Sequence, residues 1–251
     1  MTAQDWNDQF MSEPTAHLLA LRASTADLIQ GLSSLHWSEA DVAAPSLCDG
    51  WTRGHVLTHI ARNAEGIADT IAGALRDEIV ERYPDGWDAR NAAIDAGAGR
   101  PYAALVADVR ETADRLDRVL GAVGEADAWG KTTAEDGTPE GWVYRRWREV
   151  EVHRVDLAAD YTPDRWPPLF VTTVLAESVE SLGSRVDGAV HVTVTAEGSL
   201  SPEYVGKQWR VGEGHPIEVC GPDWAVLAWL MGRPAAAGDA LSATPPLGAW
   251  R

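Results

Sequence analysis

Apolar residues recur at three- and four-residue steps through 14–32 (PTAHLLALRASTADLIQGL), the period of an amphipathic helix. The same period runs through 52–76, which follows the turn CDGW and has Thr52 in position to cap the first turn. A shorter helix is expected near 87–96. Residues 101–123 open on Pro101, a favourable start for a helix, and 139–160 open on Pro139 and end near Tyr161-Thr162-Pro163. Four long amphipathic segments joined by loops predict a four-helix bundle, because each apolar stripe must find a partner to leave water.

The pattern changes after residue 162. Thr162-Pro163-Asp164-Arg165-Trp166-Pro167-Pro168 reads as a linker, followed by a helix near 168–184. HVTVTAEG (191–198) alternates like a half-buried strand, and KQWRVGEG (207–214) and PIEVCG (216–221) read as two more short strands. A last helix, PDWAVLAWLMG (222–232), begins with proline and stops at Gly232. The predicted architecture is an all-α bundle over 1–162 and a small α+β domain over 163–251.

Charge narrows the partners. With 38 acidic against 21 basic residues the formal net charge is −17, a field that disfavours nucleic acid and anionic membranes. An anionic substrate would need local arginines. No run approaches the roughly 18 apolar residues of a membrane span, and MTAQDWNDQF lacks the basic and apolar segments of a signal peptide, so a cytoplasmic location is expected. The expected partner is a small molecule; nothing in the pattern sets an oligomeric state, and a monomer is compatible with it. Two separated cysteines, Cys48 and Cys220, exclude a disulfide framework and a multi-thiolate zinc site, so any metal must be held by imidazole and carboxylate. The twelve tryptophans read first as core filling.

Two helices carry pairs of such ligands four residues apart: His55 with His59, and Glu149 with His153. Side chains at i and i+4 share a helix face. Either pair alone is a weak signal, since this spacing is common on solvated faces. At about 100° per residue, His59 falls at the edge of the Val56–Ile60–Ala64–Ile67–Ile71 stripe, beside Asn63, and His55 lies further toward solvent. Glu149 and His153 border the stripe of Val143, Trp147, Val150 and Leu157. Two imidazoles, one carboxylate and an open fourth position match a catalytic zinc site, although iron, manganese or nickel accept a similar set. His55 reads as an exposed helix residue, and His17, His36, His191 and His215 as structural or surface residues. Cys48 and Cys220 read as small buried residues, and Glu151 as solvated.

At these residues the chain resembles the mycothiol-dependent maleylpyruvate isomerases. The resemblance rests on LCDGWTRGHVLTHIARNAEGI (47–67), DARNAAIDAG (88–97), RRWREVEVHRVDLAA (145–159), WLMGRPAAAG (229–238) and the closing GAW (248–250), and so spans nearly the whole chain. It implies a DinB-like four-helix bundle followed by a small α/β domain. It implies zinc held by His59, Glu149 and His153. It assigns Arg233 to the active site and makes Arg90, in the Ala89-Arg90-Asn91 segment, a contact for substrate or thiol. It also implies a low-molecular-weight thiol, mycothiol, as cofactor, and the conversion of maleylpyruvate to fumarylpyruvate by reversible thiolate addition. Two other outcomes are compatible with the same scaffold: a mycothiol S-transferase acting on another electrophile, and a non-catalytic metal- or thiol-binding module.

Overall fold

The computed structural model describes residues 14–248; the opening MTAQDWNDQF segment and Ala249-Trp250 lie outside the described residues. Two compact units are present, Met1–Ala158 and Ala159–Arg251.

The first unit is built from α1 (Pro14–Ser34), α2 (Glu39–Ala43), α3 (Arg53–Leu75), α4 (Gly86–Gly97), α5 (Tyr102–Glu125) and α6 (Pro139–Asp156). The four long helices α1, α3, α5 and α6 make the bundle. The most extensive packing joins α3 to α5 and α1 to α6, and α3 also packs on α6. Its interior is the predicted stripe of α3, with Val56, Ile60, Ala64, Ile67 and Ile71 all at most 1% exposed. Across from it, Trp142, Val143, Trp147 and Val150 of α6 are equally enclosed. A well-packed tryptophan of this kind contributes about 3–5 kcal/mol relative to alanine. Trp147 keeps its indole N–H satisfied by donating to Ser24 Oγ at 2.9 Å.

Local chemistry sets the helix ends that matter for function. Thr52 caps α3, its side chain accepting from the His55 amide while the His55 ring turns back to the Thr52 amide. His55 is therefore a half-buried capping residue, where exposure was expected, with Asp95 3.6 Å away. Helix α6 stops at Asp156, earlier than the residue 160 expected from periodicity. Ala158 takes a left-handed conformation with φ 49°. The Arg53 guanidinium caps the freed carbonyls, donating to Leu157 O at 2.9 Å and Ala158 O at 2.7 Å. Such a cation also complements the negative end of the helix dipole. The short α2 has no periodicity long enough to read in sequence; the Ser38–Asp41 capping box holds it.

The second unit contains α7 (Pro168–Glu180), β1 (Val190–Val194), β2 (Gln208–Val211), β3 (Ile217–Gly221), α8 (Asp223–Leu230) and α9 (Pro234–Ala237). The strand order is β2-β1-β3, with β1 antiparallel to β2 and parallel to β3. Val190, Val192 and Val194 alternate into the core, and α8 packs on α7, β1 and β3. The fold is α+β. Among the described residues no helix is long and apolar enough to cross a membrane. Cys220 sits on the half-exposed face of β3 rather than in the core, because the buried positions there are Val219 and Gly221.

Candidate metal centre

Helices α3 and α6 bring three donor atoms to one point. His59 Nε2 lies 2.8 Å from Glu149 Oε2 and 3.0 Å from His153 Nε2, and the last two atoms are 3.2 Å apart. The imidazole planes of His59 and His153 meet edge to face, with centroids 4.5 Å apart. Tetrahedral zinc with bonds of about 2.0–2.1 Å spaces its donors about 3.3 Å apart, so this triangle fits a small divalent ion after an outward shift of a few tenths of an ångström. Burial is graded across it: the His59 side chain is 6% exposed, His153 14% and Glu149 31%. The cluster is thus walled at His59 and open toward solvent at the carboxylate, which leaves a side from which a further ligand can approach.

The charges of the cluster are set by burial and by the hydrogen bonds its members make. Burial, reinforced by the charge of His153, lowers the pKa of His59 to about 4 against the pull of Glu149. Burial also opposes charge on His153, but hydrogen bonds to Asp156, Cys48 and Glu149 outweigh it and hold the imidazolium well above 6.5. For Glu149, burial pushes upward, yet the bonds to His153 and His59 win and keep the carboxylate well below its ordinary range. At neutral pH the metal-free cluster is therefore a neutral imidazole, an imidazolium and a carboxylate, with one proton for a cation to displace.

Three neighbours were not legible as site residues from the sequence. Asp156, fully buried, accepts from His153 Nδ1 at 2.8 Å. The Cys48 thiol donates to the same Asp156 oxygen at 3.1 Å and lies 3.9 Å from His153 Nδ1. Cys48 is half-buried rather than buried, because the segment before α3 is pinned along the end of α6 by the bond from the Leu47 amide to Asp156 O at 2.9 Å. Cys48, His153 and Asp156 thus form a second donor group that shares His153 with the first. Trp51, from the same segment, lays its ring 5.4 Å from that of His59. The one sequence signal for Asp156 is its three-residue spacing from His153, which puts both on one face of α6 and which the ligand spacing of four does not pick out.

Arg90 of α4 reaches the site. Its Nη2 lies 2.5 Å from His59 Nδ1, and its guanidinium is ringed by Trp51, Tyr83 and Trp87 at 5.7–5.8 Å. Arg233, in the second unit, caps α9 and donates to Met231 O at 2.7 Å. Glu151 is not solvated: it is 1% exposed, since buried residues run nearly all round the C-terminal half of α6, which is packed on both α1 and α3.

Comparison with known proteins bears on the family and the fold. Residues 6–158 match the family model described as the mycothiol maleylpyruvate isomerase N-terminal domain. A solved structure described as the mycothiol-dependent maleylpyruvate isomerase superposes with a TM-score of 0.78 at 25% identity, covering 94% of this chain and 97% of that one. A histidine-to-alanine mutant of the enzyme so described superposes equally well at 24% identity, over the same shares of the two chains, which bears on the fold alone. No curated protein matches the chain at a significant level. The family match spans the whole bundle, including both helices that carry the donor triangle: the chain belongs to the mycothiol-dependent maleylpyruvate isomerase family.

Proposed function

We propose that this chain is a zinc- and mycothiol-dependent cis–trans isomerase that converts maleylpyruvate to fumarylpyruvate. The observation that carries the reading is the convergence of His59, Glu149 and His153 within 3.2 Å of one another in a chain of this family. When bound, zinc would supply the positive charge that favours a thiolate at neutral pH, and mycothiol the sulfur whose reversible addition turns the alkene into a rotatable single bond.

The protein's own groups have separate tasks. His59 and His153 hold the ion as neutral donors, and Glu149 supplies one negative charge, leaving the site net positive toward a thiolate or an enolate. Asp156 fixes the ring of His153. Trp51, its ring 5.4 Å from that of His59, offers an apolar face beside the donors, which limits the water around a developing charge. Arg90, half-buried among the rings of Trp51, Tyr83 and Trp87, is a cation for a substrate carboxylate in a chain whose overall field repels anions. Arg233 is assigned to the reaction through the family likeness of WLMGRPAAAG, as a cation for a developing enolate or for a carboxylate.

The test is a two-way dependence. Turnover of maleylpyruvate should vanish when metal is stripped, return with zinc, and be absent without mycothiol in either case. Turnover that persists in metal-free protein, or without thiol, would remove the reading.

A further inference from the structure

The two imidazoles of the donor triangle have opposite partners on their far sides. His153 presents Nδ1 to a carboxylate oxygen of Asp156 at 2.8 Å, so Nδ1 keeps its proton and Nε2 becomes the ligating nitrogen once a cation displaces the proton there. His59 presents Nδ1 to the Arg90 guanidinium at 2.5 Å. A guanidinium has five N–H donors and no acceptor. The Nδ1 of His59 must therefore accept, which places its proton on Nε2, where it is donated to Glu149 Oε2 at 2.8 Å. That tautomer cannot ligate through Nε2. A cation on Nε2 requires the proton on Nδ1, and Nδ1–H would then face an Arg90 N–H at a distance where the two repel.

Arg90 has somewhere to go. Its Nη1 donates to the neighbouring Asn91 Oδ1 at 2.9 Å, and its buried Nε has no hydrogen-bond partner. The faces of Trp51, Tyr83 and Trp87 surround it, and Trp87 is 59% exposed. A guanidinium sliding across such rings keeps its cation–π attraction as it turns away from His59.

We propose that Arg90 and the metal ion compete for His59. In the metal-free protein Arg90 holds His59 in the tautomer that cannot ligate. Loading the site switches the tautomer and releases the guanidinium along its aromatic surround, where it is available to a carboxylate of the substrate. Arg90 is in this sense a positioning residue that couples metal occupancy to anion binding, and the inference rests on the assignment of His59, Glu149 and His153 as the ligands.

Zinc affinity, measured by chelator competition on the full chain, tests this independently of turnover. Arg90→Met keeps the bulk of the side chain and removes its donors. It should bind zinc more tightly than wild type, by about tenfold, the lower end of effects from groups that contact metal ligands, while its KM for maleylpyruvate rises. Zinc affinity that is unchanged or weaker in Arg90→Met overturns the proposal. Nitrogen-15 imidazole spectra of metal-free wild type give a second measure that needs no variant. A protonated Nε2 on His59 that moves to Nδ1 on zinc addition supports the switch, and Nδ1–H before zinc overturns it. His59→Ala separates ligation from competition. If it binds zinc as wild type does, the ligand assignment itself fails; if it loses zinc while Arg90→Met gains none, the competition alone fails.

Discussion

His153 and Asp156 sit one turn apart on α6, and the Asp156 carboxylate takes a 2.8 Å hydrogen bond from the imidazole nitrogen turned away from Glu149 and His59. The carboxylate is fully buried and also receives the Cys48 thiol at 3.1 Å. A carboxylate behind a histidine fixes the ring's tautomer and raises its basicity as a ligand. Asp156→Asn should therefore weaken zinc binding about 10–100-fold without loss of helical circular dichroism. Undiminished zinc affinity in a folded Asp156→Asn protein would show that His153 is oriented by packing alone.

His153 belongs to two donor groups, and cobalt can tell them apart. The His59–Glu149–His153 group contains no sulfur, whereas the Cys48–His153–Asp156 group does. Cobalt-substituted protein without added thiol should lack a thiolate-to-metal charge-transfer band, and Cys48→Ala should retain its zinc. A strong band that disappears in Cys48→Ala would move the ion to the other side of His153.

His17 makes the bundle sensitive to acid. It is 4% exposed and packed against the rings of Tyr144 and Trp147 at 5.6 and 5.8 Å. Burial lowers its pKa below 6.5. The unfolded chain then takes up the proton first, so this contribution to stability is complete above 6.5 and is lost as the pH falls toward the folded value. In metal-free protein, lowering the pH from about 7.5 to 5.5, a range centred on the ordinary histidine pKa, should reduce Tm less in His17→Phe than in wild type. Parallel pH profiles would contradict this.

At Gly54 the start of α3 runs tightly against the end of α4. A Cβ there would stand 2.0 Å from Ala98 O and 2.9 Å from Val42 Cγ1. Gly54→Ala should destabilise the chain by about 1–3 kcal/mol or more, the usual range for overpacking. Because the same contact seats the helix that carries Arg90, the variant should also perturb the Arg90–His59 pair. Urea denaturation checks the first effect, and an unchanged midpoint would mean that α4 yields without cost.

The long helices were readable because each buries one stripe over many turns, as Val56 to Ile71 show on α3. The donor triangle was readable for the same reason: His59, Glu149 and His153 lie at stripe edges, and helical spacing reports edges. What depends on contacts distant in sequence was not readable. Nothing local reveals that the segment before α3 carries Cys48 to Asp156, across 108 positions, or that Arg90 meets His59 across 31. Glu151 misled because periodicity assumes one buried face, whereas α6 is enclosed on more than one. His55 misled because its ring caps the helix it begins. The five residues of α2 are too few to show a period at all.

In an isomerase of this kind the thiol is a catalyst's partner and not a reactant, so counting thiol decides the matter. Zinc-loaded protein should be given maleylpyruvate and a known amount of mycothiol, with fumarylpyruvate and free thiol followed together. Many equivalents of fumarylpyruvate with no net loss of thiol are predicted. Thiol consumed in proportion to product, or no conversion by protein that holds its zinc, would contradict the isomerase and make the chain a transferase acting on another electrophile.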